Sequence, residues 1–266
     1  MKNKISSADS AKKSQDVLYP PQGWDQSKMG DLTMDELARS NKELEQFAFL
    51  AAHDLQEPLR AANSYTQLLA RKYRGKLDDH ADKILSSILE STERMQKLIQ
   101  SLLKYSQAGK GNIQLKELDS NIVLQRAIEN LKVNIEESSA QIRYNGCPVI
   151  RGDEVQLMQL FQNLIHNSIK FRKKEDIPHI HISARLENNH WVFSVQDNGI
   201  GIEPEYTKSV FDLFRRLHTQ SEYLGSGIGL SLCKRIVESH QGKIWVESET
   251  GEGTTVCFTI PKTEEL

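Results

Sequence analysis

Apolar residues recur at three- and four-residue steps through the first part of the chain, which is the spacing of one helical face. They predict a first helix over residues 33–74, whose apolar face contains Leu37, Leu44, Phe47, Leu50 and Ala51. A second helix is predicted over residues 79–107, after a turn marked by Gly75 and Asp78. Two long amphipathic helices with a short link predict an antiparallel hairpin.

The pattern becomes shorter and mixed after the glycine-containing stretch at residues 108–112. We expect helices at 120–138, 153–173 and 227–240, and strands at 141–144, 179–185, 190–196, 243–247 and 254–260. Asn188 and Asn189 lie between two of these strands and predict a hairpin turn. Because helices separate many of the strands, we expect an α/β sandwich with one mixed sheet and helices on one of its faces.

The whole chain is therefore expected to be an α+β multidomain protein. Its predicted parts are a disordered tail at 1–30, a helical hairpin at 31–108, a linker at 109–116 and an α/β sandwich at 117–266. The tail could instead be a docking segment or the remnant of an upstream domain. One hairpin cannot cover the apolar faces of both its helices, so we expect a homodimer in which two hairpins form a four-helix bundle.

Composition narrows the classes of function. A formal net charge of -2 with 26% charged residues shows no basic excess, which argues against a general nucleic-acid binder. Cys147, Cys233 and Cys257 are far apart and form no CxxC pair, so we expect buried, reduced thiols. No apolar run approaches the roughly 18 residues that cross a bilayer, and the first 20 residues lack the apolar centre of a signal peptide. We expect a cytoplasmic protein without a membrane span.

His53 is the first candidate for chemistry. It lies inside the first predicted helix, next to Asp54 and five residues before Pro58. A neutral imidazole is a competent nucleophile at physiological pH, and a flanking carboxylate can orient the ring or take its proton. The same pattern also fits a surface or packing histidine, so His53 alone does not define a site.

Three glycine-rich segments lie in the second half, at residues 197–202, 225–230 and 251–254. In the first segment, Asp197 follows an alternating strand, and its carboxylate could accept a hydrogen bond from an exocyclic amine such as that of adenine. The second segment runs into a predicted helix start, where backbone N–H groups suit phosphate oxygens. The third fits a β-turn, and each segment taken alone could be only a turn.

Asn163, Asn167 and Lys170 share one face of the helix that precedes these segments, because they lie at steps of four and three. Asn167 offers a neutral oxygen to a hard cation, and Lys170 offers a positive charge to a phosphate. The alternative to a ligand site is that these three side chains form a solvated polar face. It is less attractive because the same helix carries several apolar residues that predict burial, namely Leu160, Phe161, Leu164 and Ile165.

Taken together and in this order, the motifs resemble those of sensor histidine kinases, in which a dimerisation and phosphoacceptor domain precedes a gyrase-type ATP-binding domain. AAHDLQEPLR resembles the phosphoacceptor motif, and NLIHNSIKF resembles the asparagine motif. DNGIGI, GSGIGL and GEGTT resemble the glycine motifs, and VFDLF resembles the phenylalanine motif before the nucleotide lid. The resemblance covers about residues 37–262. Within this family the chain is most similar to the kinase modules of phytochrome-type photoreceptors.

The resemblance implies that the chain uses ATP and Mg²⁺ to phosphorylate itself. His53 would accept the γ-phosphoryl group, and Asp54 would act as the base that orients the ring. Asn167 would hold Mg²⁺, supported by Asn163 and Lys170.

The resemblance also assigns the nucleotide pocket and its lid. Asp197 would bind the adenine amine, in a pocket shaped by Gly199 and Gly201. The lid would close over the phosphates with three further glycines, Gly225, Gly227 and Gly229. Arg216 could stabilise charge on the transferred phosphoryl group, with its neighbour Arg215 as the second candidate.

The implied partner is the receiver domain of a response regulator, whose aspartate would take the phosphoryl group. Input would come from an upstream sensor protein, from the tail or from another domain. Two positions depart from broader patterns. Asn163 stands where ATP-hydrolysing relatives of the fold carry a glutamate, and Glu57 stands where many such kinases carry a Thr or Asn used for dephosphorylation. A nucleotide-binding scaffold without phosphoryl transfer and an ATP-driven clamp are the competing hypotheses.

Overall fold

The computed structural model describes residues 34–108, 113–217, 223 and 226–262, without the side chains of residues 34–51 and 53. The tail predicted at residues 1–30 lies outside the described residues. The chain divides into two units, Met1–Leu44 and Glu45–Leu266. The first helix runs across this division, and all later elements belong to the second unit.

The two predicted long helices are confirmed. Helix α1 covers Met34–Tyr73 and includes Pro58, and helix α2 covers Asp79–Gln107. Gly75 lies between them with a φ of 71°, a conformation that glycine adopts without strain. The carboxylate of Asp78 accepts a hydrogen bond from the backbone N–H of Ala81 at 2.8 Å and so caps α2. The reversal therefore occurs where the sequence predicted it.

The described residues after α2 form shorter helices and strands. In chain order they are β1 (Lys116–Asp119), α3 (Ser120–Asn130), α4 (Lys132–Ser138), β2 (Gln141–Tyr144), β3 (Val149–Gly152), α5 (Glu154–Lys170), β4 (His179–Glu187), β5 (His190–Asp197), α6 (Gly229–Ser239), β6 (Ile244–Glu249) and β7 (Gly253–Pro261). Two single-turn 3-10 helices, Pro204–Tyr206 and Ser209–Phe211, lie between β5 and α6.

The described strands form two sheets. The larger has the order β2-β4-β5-β7-β6, with β2 parallel to β4 and the other pairs antiparallel, which confirms the predicted mixed sheet. Asn188 and Asn189 form the predicted hairpin turn, with φ values of 45° and 64°. The register of β5 on β7 places Asp197 opposite Thr254. This pairing brings two of the glycine-rich segments together.

Two features differ from the sequence prediction. The helix expected over 120–138 is two helices, because the N–H of Leu131 bonds to the carbonyl of Ile128 three residues back and ends α3. The small antiparallel sheet of β1 and β3 was not predicted, since each strand has only four residues. Strand β1 begins at Lys116, the last residue of the predicted linker.

The core lies between the larger sheet and the helices packed on it. Phe161 of α5 meets Phe193 of β5 and Phe258 of β7 edge-on, with ring centroids 6.0 and 5.8 Å apart. The apolar face of α6 packs into the same core through Leu232 and Ile236. Because one face of α5 is buried in this core, its opposite, polar face lies next to the segments that follow β5. The three cysteines are free and buried, as predicted.

Within the described part of the chain, no helix combines the length and the apolar character required to cross a membrane.

Candidate functional site

A cavity of about 340 Å³ lies between α5, the end of β5, the segment before α6 and the start of α6. This volume lies in the range of small-molecule sites. Its polar lining includes five residues predicted from sequence, Asn163, Asn167, Lys170, Asp197 and Arg216. Its apolar lining includes Ile200, Ile202, Val210, Leu230 and Val256. The mixed lining suits a ligand with a flat apolar part and a charged part.

Asp197 ends β5 and is held by three hydrogen-bond donors. Its Oδ1 accepts the backbone N–H groups of Gly199 at 2.9 Å and Thr254 at 3.1 Å. Its Oδ2 accepts the hydroxyl of Ser168 at 2.9 Å. Burial raises the pKa of the Asp197 carboxyl above its ordinary value, while the three hydrogen bonds act in the opposite direction. Two carboxylate oxygens can accept about four hydrogen bonds, so one acceptor position remains for a ligand.

The glycines around Asp197 are required by close backbone contacts. A side chain at Gly199 would meet the carbonyl oxygen of Phe171, and one at Gly201 would meet that of Glu249. Gly201 also has a φ of 74°, which side-chain-bearing residues rarely adopt. Both glycines therefore let the segment after β5 lie against its neighbours beside the cavity.

The second glycine segment meets the cavity at the start of α6. Gly227 has a φ of 70° and packs against the backbone of Phe214. Gly229 is the first residue of α6 and faces the amide of Asn167. Gly225 lies outside the described residues. The N–H groups at the start of α6 thus lie beside the polar face of α5, where an anion would be stabilised.

Asn163, Asn167 and Lys170 line the cavity from one face of α5, as their spacing predicted. The side-chain nitrogen of Asn163 is buried without a hydrogen-bond partner among the described residues. Asn163 lies beside Cys233, and burial raises the pKa of the Cys233 thiol. A buried amide with unused hydrogen-bonding capacity is consistent with a ligand site.

Lys170 and Arg216 are two of the cations that line the cavity, and their charges interact. Lys170 places its ammonium 4.2 Å from the centroid of the Phe171 ring. Burial first, and then the positive charge of Arg216, lower the pKa of Lys170 to about 8. Arg216 donates a hydrogen bond to the carbonyl of Tyr223 at 3.0 Å. The mutual repulsion of these groups would be relieved by a polyanion bound between them.

Several residues that approach the cavity were not predicted from the sequence. Ser168 and the backbone of Thr254 hold Asp197, and the ring of Tyr223 packs on Phe171 with centroids 5.1 Å apart. His166, which directly precedes Asn167 on α5, also lines the cavity. Ser168 lies in the NLIHNSIKF motif and Thr254 in GEGTT. The motifs therefore included both residues, but they did not show that these residues contact Asp197.

The phosphoacceptor motif lies in α1. His53 belongs to the helix, but its side chain is outside the described residues. Asp54 is exposed and lines a separate groove between α1 and α2, together with Glu57, Arg60 and Gln96. The cavity of the second half and the groove beside Asp54 are therefore different features of the molecule.

The fold and cavity define a helical hairpin joined to an α/β sandwich that has a polar small-molecule site. The family model described as the His Kinase A (phospho-acceptor) domain matches residues 43–111. The model described as Histidine kinase-, DNA gyrase B-, and HSP90-like ATPase matches residues 152–264. Together these matches cover more than half of the chain. The chain belongs to the histidine kinase family.

Curated relatives agree with this assignment. Cyanobacterial phytochrome A of Nostoc sp. and phytochrome-like protein Cph1 of Synechocystis sp. are each 46% identical to the chain over 85% of its length. The matched parts are 29% and 30% of these two proteins, so the chain spans less than a third of their length. The similarity therefore concerns one portion of each relative.

Solved structures share the fold. Full-length ShkA in complex with AMPPNP has a TM-score of 0.64 and 23% identity, covering 83% of this chain and 47% of that one. Histidine kinase ThkA in complex with response regulator protein TrrA has a TM-score of 0.59 and 21% identity, covering 88% and 68%. At these identities the likeness shows the architecture alone.

Proposed function

We propose that this chain is an ATP-dependent protein histidine kinase of a two-component system. It phosphorylates His53 and transfers the phosphoryl group to an aspartate of a response regulator. The observation that carries the proposal is the cavity, which combines a partly buried, hydrogen-bonded carboxylate with two neighbouring cations. The matches to a phosphoacceptor domain and an ATPase domain in one chain support it.

Adenine fits the Asp197 end of the cavity. The remaining acceptor position of Asp197 can receive the exocyclic amine of adenine, and Ile200 and Val256 supply apolar surface for the ring. Guanine carries a carbonyl oxygen at the equivalent place, which a carboxylate repels. We therefore infer that the site selects ATP over GTP.

The phosphates fit the side of the cavity formed by α5 and the start of α6. Lys170 and Arg216 supply positive charge, and the first N–H groups of α6 at Gly229 supply hydrogen-bond donors. Phosphoryl transfer depends mainly on positioning and charge neutralisation, which these groups provide.

Mg²⁺ fits the amide oxygens of α5. Asn167 would hold the ion, and Asn163 would support it from one turn earlier on the same helix face. When bound, the ion would neutralise phosphate charge. Magnesium sites use few protein ligands and retain water, so one or two amide oxygens suffice.

The proposed transfer is a substitution at phosphorus. A ring nitrogen of neutral His53 forms a bond to the γ-phosphorus, while the bond from that phosphorus to the β,γ-bridging oxygen breaks. The electron pair of the broken bond leaves with ADP, and the ring proton passes to the carboxylate of Asp54. Lys170 and Arg216 stabilise the charge that develops on the leaving phosphate.

A second copy of the chain is proposed as the partner of the hairpin. Large apolar side chains on α1 and α2 are 41% to 58% exposed in the single chain, namely Leu55, Leu68, Leu69, Ile84, Ile88 and Met95. A four-helix bundle with a second hairpin would cover them. Sedimentation equilibrium should give a dimer for the wild type and a monomer for a Leu68→Glu, Ile88→Glu variant; a monomeric wild type would contradict this part of the proposal.

The partners, the domain boundary and the cellular location complete the proposal. A receiver domain is the expected phosphoryl acceptor, since ThkA was solved with a response regulator protein. An upstream sensor is expected to supply the input, since further relatives are named as sensor proteins, such as RprX. We propose a division into domains at residues 109–116, and a cytoplasmic location because the three cysteines are free.

Labelling with γ-phosphate-labelled ATP and Mg²⁺ tests the proposed activity. We expect acid-labile, alkali-stable label in the wild type and none in His53→Gln. Asn167→Ala should abolish labelling while leaving the dimer intact, and unchanged labelling would remove the assignment of Mg²⁺ to Asn167. Nucleotide binding without any label would favour a scaffold, and steady phosphate release independent of His53 would favour an ATP-driven clamp.

A further inference from the structure

The last turns of α2 form part of the wall of the nucleotide cavity. Ser101 and Lys104 line it together with Asn163, Asn167 and Lys170 of α5. Ser101 and Lys104 are three residues apart, so they lie on one face of α2. A helix of the phosphoacceptor hairpin thus contributes side chains to a site otherwise built from the ATPase domain.

A specific contact holds α2 at this position. Arg235 of α6 donates a hydrogen bond from Nε to the carbonyl of Ala108, the C-cap residue that follows α2. The Arg235 guanidinium also lies 4.9 Å from the centroid of the Tyr105 ring, within cation–π distance. Tyr105 follows Lys104 directly, so this contact fixes the backbone from which Lys104 extends.

The cavity then has four cations in its lining, Lys104, Lys170, Arg215 and Arg216. None of the described acidic side chains forms an ion pair with any of them. Asp197 already accepts three hydrogen bonds at the end of β5. The excess positive charge suits a ligand with several negative charges, such as a nucleoside di- or triphosphate.

We propose that Lys104 is a phosphate-binding residue of the nucleotide site, supplied by the hairpin, and that Arg235 is a positioning residue that holds it there through Tyr105 and Ala108. The inference rests on the proposed function and deepens it. Bound nucleotide then contacts both parts of the kinase at once, so that its phosphates stabilise the arrangement in which α2 lies on α6.

Binding measurements on the full chain test the proposal, with ATP, ADP and adenosine titrated by calorimetry. Lys104→Met keeps the alkyl stem and removes the charge. It should therefore weaken the binding of ATP and ADP about tenfold and the binding of adenosine less than about twofold. Lys104→Arg should restore ATP affinity. Lys97→Met is the matched control, because Lys97 is exposed on the same helix two turns away and does not line the cavity.

Arg235→Met tests the positioning role. It should weaken ATP binding about as much as Lys104→Met does and leave adenosine affinity unchanged. A general loss of structure would weaken the binding of both ligands. The double variant Lys104→Met, Arg235→Met should also be measured. Its fold-loss of ATP affinity should be clearly smaller than the product of the fold-losses of the two single variants. Independent, multiplicative losses would show that Arg235 does not act through Lys104.

Three outcomes overturn the inference. The first is wild-type ATP affinity in Lys104→Met, and the second is equal loss of ATP and adenosine. In both cases the wild type still binds ATP, so the result would contradict the role of Lys104 but not the proposed kinase function. The third is a wild type that binds no ATP at all, which removes the proposed function and this inference together.

Discussion

The backbone N–H of Asp153 donates a hydrogen bond to Nε2 of His240 across 2.9 Å. The other ring nitrogen, Nδ1, lies 2.8 Å from the carbonyl oxygen of Ile236, to which it can donate. One nitrogen accepts and the other donates, so these contacts require a neutral ring. Asp153 caps α5 at its start, and His240 follows α6. This pair therefore joins α5 and α6, which line the polar side of the cavity.

The first prediction concerns stability against acid. Burial lowers the pKa of His240 below its ordinary value of 6.5. Below pH 6.5 the unfolded chain takes up a proton at this residue more readily than the folded chain, so the free energy of unfolding should fall as the pH decreases. Above pH 6.5 the ring is neutral in both states and the stabilisation is complete. Urea unfolding between pH 7.5 and 5 measures the slope.

Two variants separate His240 from the other titrating groups. His240→Gln should be less stable at pH 7.5 by about 1–3 kcal/mol, because one terminal amide cannot replace both ring contacts, to the N–H of Asp153 and to the carbonyl of Ile236. The variant should also show a shallower pH slope. His179→Gln changes an exposed histidine of β4 and should keep the wild-type slope. An unchanged slope in His240→Gln would contradict the assignment.

The second prediction concerns the pH dependence of ATP binding. Lys170 has a pKa lowered to about 8, so above pH 8 the ligand-free protein increasingly carries a neutral amine there. Bound phosphates favour the charged form, so binding must then take up a proton and the Kd should rise, by at most about tenfold per pH unit. Calorimetric titrations at pH 7, 8, 9 and 9.5 measure this rise.

Lys170→Arg provides the control for this dependence. An arginine stays charged throughout this range, so the Kd of the variant should be nearly flat from pH 7 to 9.5. Arg216→Gln removes the second cause of the lowered pKa, and the rise in Kd should begin at a higher pH although binding is weaker. A wild type whose Kd is constant to pH 9.5 would exclude a phosphate contact by Lys170.

The third prediction concerns base selectivity. Asp197→Asn replaces a charged acceptor by a neutral amide, and ATP affinity should fall about 10- to 100-fold, as expected for a hydrogen bond to a charged group. GTP affinity should change less, because the new amide can donate to its carbonyl oxygen. Ser168→Ala keeps the two backbone donors to Asp197 and should lose only severalfold in ATP affinity. Equal losses for ATP and GTP in Asp197→Asn would count against contact with the base.

The fourth prediction compares two glycines at the cavity. Gly201→Ala introduces a side chain at a φ of 74° and against the carbonyl of Glu249, so it should destabilise the protein by about 2–4 kcal/mol. Gly229→Ala meets only the Asn167 nitrogen, at 3.9 Å, and should leave thermal stability unchanged. Differential scanning calorimetry distinguishes the two.

The same Gly229→Ala variant also probes the proposed ion site. Its methyl group would lie beside Asn167, so ATP binding should weaken more in the presence of Mg²⁺ than in EDTA. A variant with the wild-type ratio of these two affinities would show that no ion binds next to Asn167.

The sequence by itself determined the elements whose signals are local. The three- and four-residue spacing of apolar residues predicted α1, α2 and the buried face of α5, and Asn188-Asn189 predicted the hairpin turn. The same spacing placed Asn163, Asn167 and Lys170 on one helix face. It missed the break at Leu131 and the small sheet of β1 and β3, where the local signal spans only a few residues.

Only the tertiary structure decided which distant residues meet. Ser168 and Thr254 reach Asp197 from 29 and 57 residues away, because the register of β5 on β7 and the packing of α5 on the sheet bring them together. Lys104 likewise lines the cavity because the end of α2 lies on α6, where Arg235 donates a hydrogen bond to the carbonyl of Ala108. Periodicity and capping act over a few residues, whereas these contacts depend on the registry and packing of whole elements, which no local pattern specifies.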